Sequence, residues 1–381
     1  MGNLQFRYRL SGLMVILLAI MPFLQLTRYA HAQVTLNRED AFNSPSRHAW
    51  NLFLLLNHPA KDVSLGRGLP DLTKSIGAPG TSVVWETWRL AETEVFLPKG
   101  TEPPDWNDLK LAGSPLMGKV PQPVETRIVD AINRDRTLPR FDPNDGVFAG
   151  TGGFGESRMN QATYEFIKRN KLYSIEGQQR YAQDVIDEKK PPISFTPDSM
   201  EAKAAWIKFT KDEIAAGKHK RYYVATYQDE TYGLVSLHFI TKDLPNWFWC
   251  TFHHVDNPPN SIGEKPDNFT APKVLENTVW QNYKLGGTQT DFVTQTGSPT
   301  ILSDAYIEFG FTRSSCITCH SHAAIGAGND QSFALFPLGA PRNAVGIPEL
   351  EMLDILIRQK RFVVVQKDFL FSLSRAKSEK D

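Results

Sequence analysis

Cys316, Cys319 and His320 stand together in the stretch SSCITCHSHAAIG, which begins at Ser314 and holds two of the three cysteines in a chain of 381 residues. Three chemistries use two thiols at this spacing. A zinc site takes them as thiolates but needs two further ligands, ordinarily from a second paired motif. The chain has no second Cys-x-x-Cys and no His-x-x-x-His. A thioredoxin-like redox pair belongs beside a βαβ unit and has no use for the trailing histidine. In covalent c-type haem attachment the two thiols add to the vinyl groups of the ring and the adjacent histidine binds the iron. Given this chain's cysteine and histidine content, the motif is expected by chance in roughly one sequence in two thousand. The motif thus points to one haem c, covalently held by Cys316 and Cys319, with His320 as proximal iron ligand.

The second face of such a ring decides its job. A strong sixth ligand closes the iron and favours electron transfer, whereas a vacant face admits small ligands or oxygen chemistry. His322 is too close to His320 to swing round a ring tethered by the same segment. Met352, within LEMLDILI, stands downstream as methionine does in small c-type carriers, although a methionine there also suits core packing. In WFWCTFHHV, alternation puts His254 on one face with Phe248, Cys250 and Phe252, and His253 on the other with Trp247 and Trp249. His254 is the candidate distal ligand, Met352 its alternative, and an open sixth position the remaining case.

Several elements must position this chemistry. RHAWNLFLLLNHPA reads as a helix with Trp50, Phe53 and Leu54 on one face. TSVVWETWRL reads as a strand, and residues 98–147, heavy in Pro, Asp and Asn, as a long irregular connection. GESRMNQATYEFIKRNKLY reads as helical. The runs RYYVATYQ, YGLVSLHFI and WFWCTFHHV, separated by turn residues, read as consecutive antiparallel strands. DNPPNSIGEKPDNFTAPK is a loop, and PELEMLDILIRQK is helix-like. GTGGFG, from Gly150 to Gly155, matches Gly-x-Gly-x-x-Gly formally, but the preceding RFDPNDGVFA is a poor central strand, so a flexible loop is the better reading. DPNDG lacks the ligand set of a calcium loop. Cys250 reads as a small buried apolar residue. Neither Gly-x-Ser-x-Gly nor His-Glu-x-x-His occurs, which leaves hydrolase chemistry without support.

Residues 1–32 read as a cleavable export signal: Arg7 and Arg9, then LSGLMVILLAIMPFLQL, then AHA before Gln33. Pro22 and Arg28 leave the apolar run short of a membrane span, so no stable span is expected after signal removal. Outside the cytosol a free vicinal thiol pair tends to oxidise, and haem attachment consumes both sulfurs. The full chain has zero formal charge, and losing a leader with three arginines and no acid leaves a net charge of −3. Nothing there suggests nucleic acid or an anionic membrane surface as partner. The eight tryptophans and 23 phenylalanines suit a body that encloses a flat apolar ring, and equally any β-rich core.

Taken together, VVWETW, RMNQATYEFI, DSMEAKAAW, WFWCTFHHVDN, SSCITCH and KDFLFSL resemble a group of exported bacterial proteins labelled cytochrome c family protein, with a long body and one haem motif near the C-terminus. The resemblance implies an acidic residue where this chain has His253 and a retained histidine at His254, and it supplies no substrate. The expected fold is α+β, an antiparallel β core with flanking helices and a C-terminal c-type haem-binding segment. The expected divisions are a signal over 1–32, a mixed α/β body over 33–270 and a haem-binding region over 271–381. The leading reading is a periplasmic monohaem electron-transfer cytochrome serving an unidentified redox partner protein. The alternative is a haem enzyme of peroxidase or oxidoreductase type, or a haem-based ligand sensor, with the body as its pocket.

Overall fold

The structure, a computed structural model, describes residues 36–109, 153–227, 229–257, 262–263, 269–304, 306–307, 314–321, 323–326, 333–334, 345–348 and 364–380. Among these residues the centre is a seven-stranded sheet. β1 (Arg89–Leu90), β2 (Gly153–Met159) and β3 (Met200–Lys208) lie at one side. β4 (Val224–Tyr227) pairs with the first residues of β5 (Glu230–Thr241), and β5 joins β3 to β6 (Phe248–His254) and then β7 (Tyr283–Gln289). Every pairing in this sheet is antiparallel. The three runs read as consecutive antiparallel strands are β4, β5 and β6. Their β-branched and aromatic residues fit a pleated surface, buried on both sides over most of β5 and β6 and largely exposed at the edge strand β4.

One face of the sheet is aromatic. Phe248, Cys250, Phe252 and His254 of β6 point to it by alternation. It receives α1 (Pro45–Leu56), where Pro45 opens the helix at a position that needs no N–H. Trp50 and Phe53 meet Phe252 at ring separations of 5.0 and 4.5 Å, and His48 meets Phe248 edge-on at 4.8 Å. Ala49, Leu52 and Leu56 complete the buried side of α1, while Leu54 is only half-buried. Each large apolar side chain covered here stabilises the fold by roughly 1.5–3 kcal/mol.

Three local readings are corrected. Residues 81–90 form a short 3-10 turn at Val84–Thr87 and only the two-residue β1, because the Glu86 side chain accepts a hydrogen bond from Val83 N–H and coils the segment. In GESRMNQATYEFIKRNKLY the first residues belong to β2. The helix α2 (Gln161–Arg169) begins only after Asn160, whose side chain caps Thr163 N–H. Gly153 and Gly155 of the glycine-rich stretch therefore lie in a strand rather than a loop. β3 was not anticipated as a strand. Its sequence MEAKAAWIK is rich in alanine, a weak strand former, and the small side chains Ala202 and Ala204 are tolerated because both are fully buried beneath larger neighbours.

β7 lies beyond the expected division at residue 270 yet completes the same sheet. Several of the described residues beyond it pack into the same core. Cys316, Ile317, Ile325, Val365, Leu370 and Leu373 join the cluster that contains Phe53 and Trp206. α3 (Ile175–Ile186) ties this region down, since Gln178 Nε2 donates to the carbonyls of Leu172 and Leu373, each at 2.7 Å. Next come α4 (Cys316–Ser321) and β8 (Ala323–Gly326), which pairs with β9 (Phe333–Ala334) and β10 (Val364–Gln366). Among the described residues no helix is long and apolar enough to cross a membrane. The leader over 1–32, His322, and Met352 with most of its helix-like run lie outside the described residues.

Candidate functional site

α4 carries the motif. Cys316, Cys319 and His320 fall at i, i+3 and i+4, so one helical face presents all three. The helix is docked by its first turn. Ser315 Oγ accepts from Thr318 N–H at 3.2 Å. Gln289, at the end of β7 and 2 % exposed, donates to Ser315 Oγ and Thr300 Oγ1, each at 2.6 Å, and accepts from Ile317 N–H at 3.0 Å. A single carboxamide thus joins the sheet to the start of α4. Nothing in the sequence around Gln289 signals this, because the partners are remote in the chain.

Neither Cys316 nor Cys319 forms a disulfide. Cys316 is 7 % exposed and its sulfur donates to the Leu302 carbonyl at 3.1 Å, while Cys319 is half-buried. Among the described residues no three His, Cys, Asp or Glu side chains converge as a metal ion would require. The three motif side chains share a face without forming a common cage.

His320 is oriented by its Nδ1, 2.7 Å from the Phe369 carbonyl. A carbonyl only accepts, so Nδ1 carries the proton and the neutral ring has its lone pair on Nε2. That is how metal-binding histidines are usually held. Trp249 and Phe371 flank the ring edge-on at 4.6 and 4.9 Å. The Phe369 carbonyl is presented by two consecutive left-handed residues, Asp368 at φ 48° and Phe369 at φ 71°. Such a backbone costs of order 1–3 kcal/mol per residue and persists where its surroundings fix it. Asp368 is fixed from two sides: its carboxylate accepts from Phe195 N–H at 2.7 Å and from Lys242 Nζ at 2.5 Å.

The Trp249 contact shows which side of the sheet α4 covers. Trp249, Thr251 and His253 share the face opposite α1. Across the strands, Lys203, His238 and Thr251 form one row, and Ile240, Trp249 and Gln289 the next. His238 is 8 % exposed. Burial pushes its imidazole well below the ordinary histidine value, and the nearby Lys203, His320 and His253 push it further in the same direction. Thr251 Oγ1 is buried with no hydrogen-bond partner among the described residues. A bulge in β7 leaves Gly286 between the partners of Thr251 and Phe252. A Cβ at Gly286 would stand 2.8 Å from His253 Nδ1, so the glycine makes room for that ring.

His254 is on the other side. Its Nε2 donates to the Arg221 carbonyl at 3.1 Å, its Nδ1 accepts from Asp256 N–H at 3.2 Å, and Tyr222 stacks on it at 3.6 Å. Both ring nitrogens are engaged, and desolvation lowers its proton affinity. The structure therefore does not bring His254 to His320. On the Trp249 face, the side that α4 meets, the structure places His238, within YGLVSLHFI, together with His253. Strand pairing was the missing signal, because only the register of β5 against β6 puts His238 on the Trp249 face. Cys250 is buried in the aromatic face, its thiol held up in pKa by desolvation.

Comparison with protein-family models, with curated proteins and with solved structures returns no match.

Proposed function

We propose that this chain is an exported monohaem c-type cytochrome that carries single electrons in the periplasm to or from a partner protein. The observation that carries the reading is the arrangement of α4: two cysteines outside any disulfide and a histidine on one helical face, with the histidine's Nδ1 committed to the Phe369 carbonyl. These residues fit a covalently held haem. Cys316 and Cys319 would form the thioether bonds, and His320 Nε2 would face the iron. Side chains that share a face without converging suit a broad ring anchored at its edge better than a single ion. When bound, the haem supplies a one-electron iron couple. Trp249 and Phe371 hold the ligand ring in place and keep water from it, and Asp368 holds the carbonyl that fixes its tautomer.

A second reading has its own support. The row Lys203, His238 and Thr251 places polar groups under the motif, which a carrier does not require. Such a row suits a haem enzyme of peroxidase or oxidoreductase type, or a ligand sensor, with the sheet as pocket wall. The replacement of both Cys316 and Cys319 by serine, in a bacterium able to mature c-type haem, tests the common premise. The variant is expected to be exported colourless, and the parent's mass to rise by one haem. A variant that keeps its colour through acid–acetone extraction, or a parent of unmodified mass, overturns the assignment.

A further inference from the structure

We propose that His238 of β5, rather than His254, is the second axial ligand of the haem iron, closing the ring from the sheet side. The inference rests on the haem reading above and adds the identity of the residue on the second face. Three observations converge on it. First, α4 seats His320 against Trp249, which fixes the covered face of the sheet as the one that carries His238. Second, His238 lies in the central strand, diagonal across the β5–β6 pair to Trp249, the residue whose ring His320 meets at 4.6 Å. Third, the side chain directly opposite His238 is Thr251, whose buried hydroxyl lacks a hydrogen-bond partner among the described residues, as at the wall of a site for a polar or metal-bearing group. His253 shares the face, but its ring lies over Gly286 toward β7, away from the β5 side.

The full chain, matured with covalent haem, provides the test. Pyridine-haemochrome absorbance first measures attachment, and its absence overturns both the function and this ligand. With haem attached, the parent is expected to be low-spin and inert to carbon monoxide. His238→Gly is expected to keep its covalent haem, turn high-spin and bind carbon monoxide, with added imidazole restoring the low-spin spectrum. His254→Gln and His253→Gln are expected to leave the spectrum unchanged. If His238→Gly fails to accumulate, near-infrared magnetic circular dichroism of the parent decides. The charge-transfer signature of two imidazoles supports the proposal, and that of imidazole with thioether, or of a five-coordinate iron, overturns it. A haem-loaded His238→Gly variant with the parent's low-spin spectrum also overturns it, while leaving the cytochrome reading intact.

Discussion

β6 shows two environments on one strand. Its even-numbered side chains, Phe248, Cys250, Phe252 and His254, enter an aromatic layer beneath α1, where the strand's own imidazole is stacked on Tyr222 and hydrogen-bonded at both nitrogens. Its odd-numbered side chains, Trp249, Thr251 and His253, enter a layer of mixed polarity beneath α4, where Thr251 Oγ1 lacks a partner among the described residues. Unpartnered buried polar atoms occur on both sides, since His48 Nδ1 on α1 and Thr288 Oγ1 opposite Cys250 also lack a partner among the described residues; what differs is the histidine, engaged at both nitrogens on the aromatic side. The contrast teaches that burial alone does not identify a functional histidine. His254 is fully buried, and its two ring nitrogens are taken up by the Arg221 carbonyl and the Asp256 N–H.

Substitutions can break that contrast or sharpen it. The largest expected effect is on the aromatic side. Phe252→Ala should cost about 3–5 kcal/mol in denaturant unfolding, since it opens a cavity beside Trp50 and Phe53. On the haem reading, the same variant should leave the haem spectrum unchanged, and a changed spectrum would mean that the two layers are coupled.

The next effect belongs to Glu201, on the α4 side of β3, whose buried carboxyl accepts from Ser372 Oγ at 2.7 Å and whose pKa desolvation raises to about 7. A carboxyl with a folded-state pKa above its unfolded value binds protons on folding, so its contribution is most favourable below about pH 4.5 and is lost as pH rises toward 7. Glu201→Gln should therefore flatten the fall in stability over that window. The gain relative to the parent at pH 8 should be at most about 3 kcal/mol, read from urea midpoints. An unchanged slope would place the titration elsewhere, with the buried Glu86, also raised to about 7, as the next group to replace.

Gly286→Ala should cost about 1–3 kcal/mol, because the added methyl meets the His253 ring and the Thr251 carbonyl. Smallest is Thr251→Val. It removes an orphan hydroxyl at nearly constant shape, and in the haem-free chain it should raise stability by up to about 1 kcal/mol. A loss of stability instead would show that the hydroxyl is satisfied in solution.

How far these features could be read from the residues depends on the range of the forces that set them. β4, β5 and β6 were legible because aromatic and β-branched runs between turn residues are a local signal. The helical face of α1 was legible for the same reason. β3 was not, because alanine favours helix intrinsically and only the neighbouring strands make MEAKAAWIK extended. In 81–90 the apolar pattern suited a strand, but the Glu86 hydrogen bond to Val83 prevailed. The motif itself was plain, and so was the division of β6 into two faces. Which face α4 would cover was not, since the Trp249 contact, the Gln289 bridge and the Phe369 carbonyl all join segments distant along the chain.

The hydrogen bond from the Cys316 thiol to the Leu302 carbonyl has a consequence for biogenesis. In the finished fold that sulfur is nearly sealed from solvent and committed to a main-chain acceptor, an arrangement hostile to any external reagent. On the haem reading proposed above, a reagent as bulky as a tetrapyrrole would need that thiol bare. Attachment would then have to precede the closing of this segment, and chains that closed first would stay pale whatever their affinity for the ring.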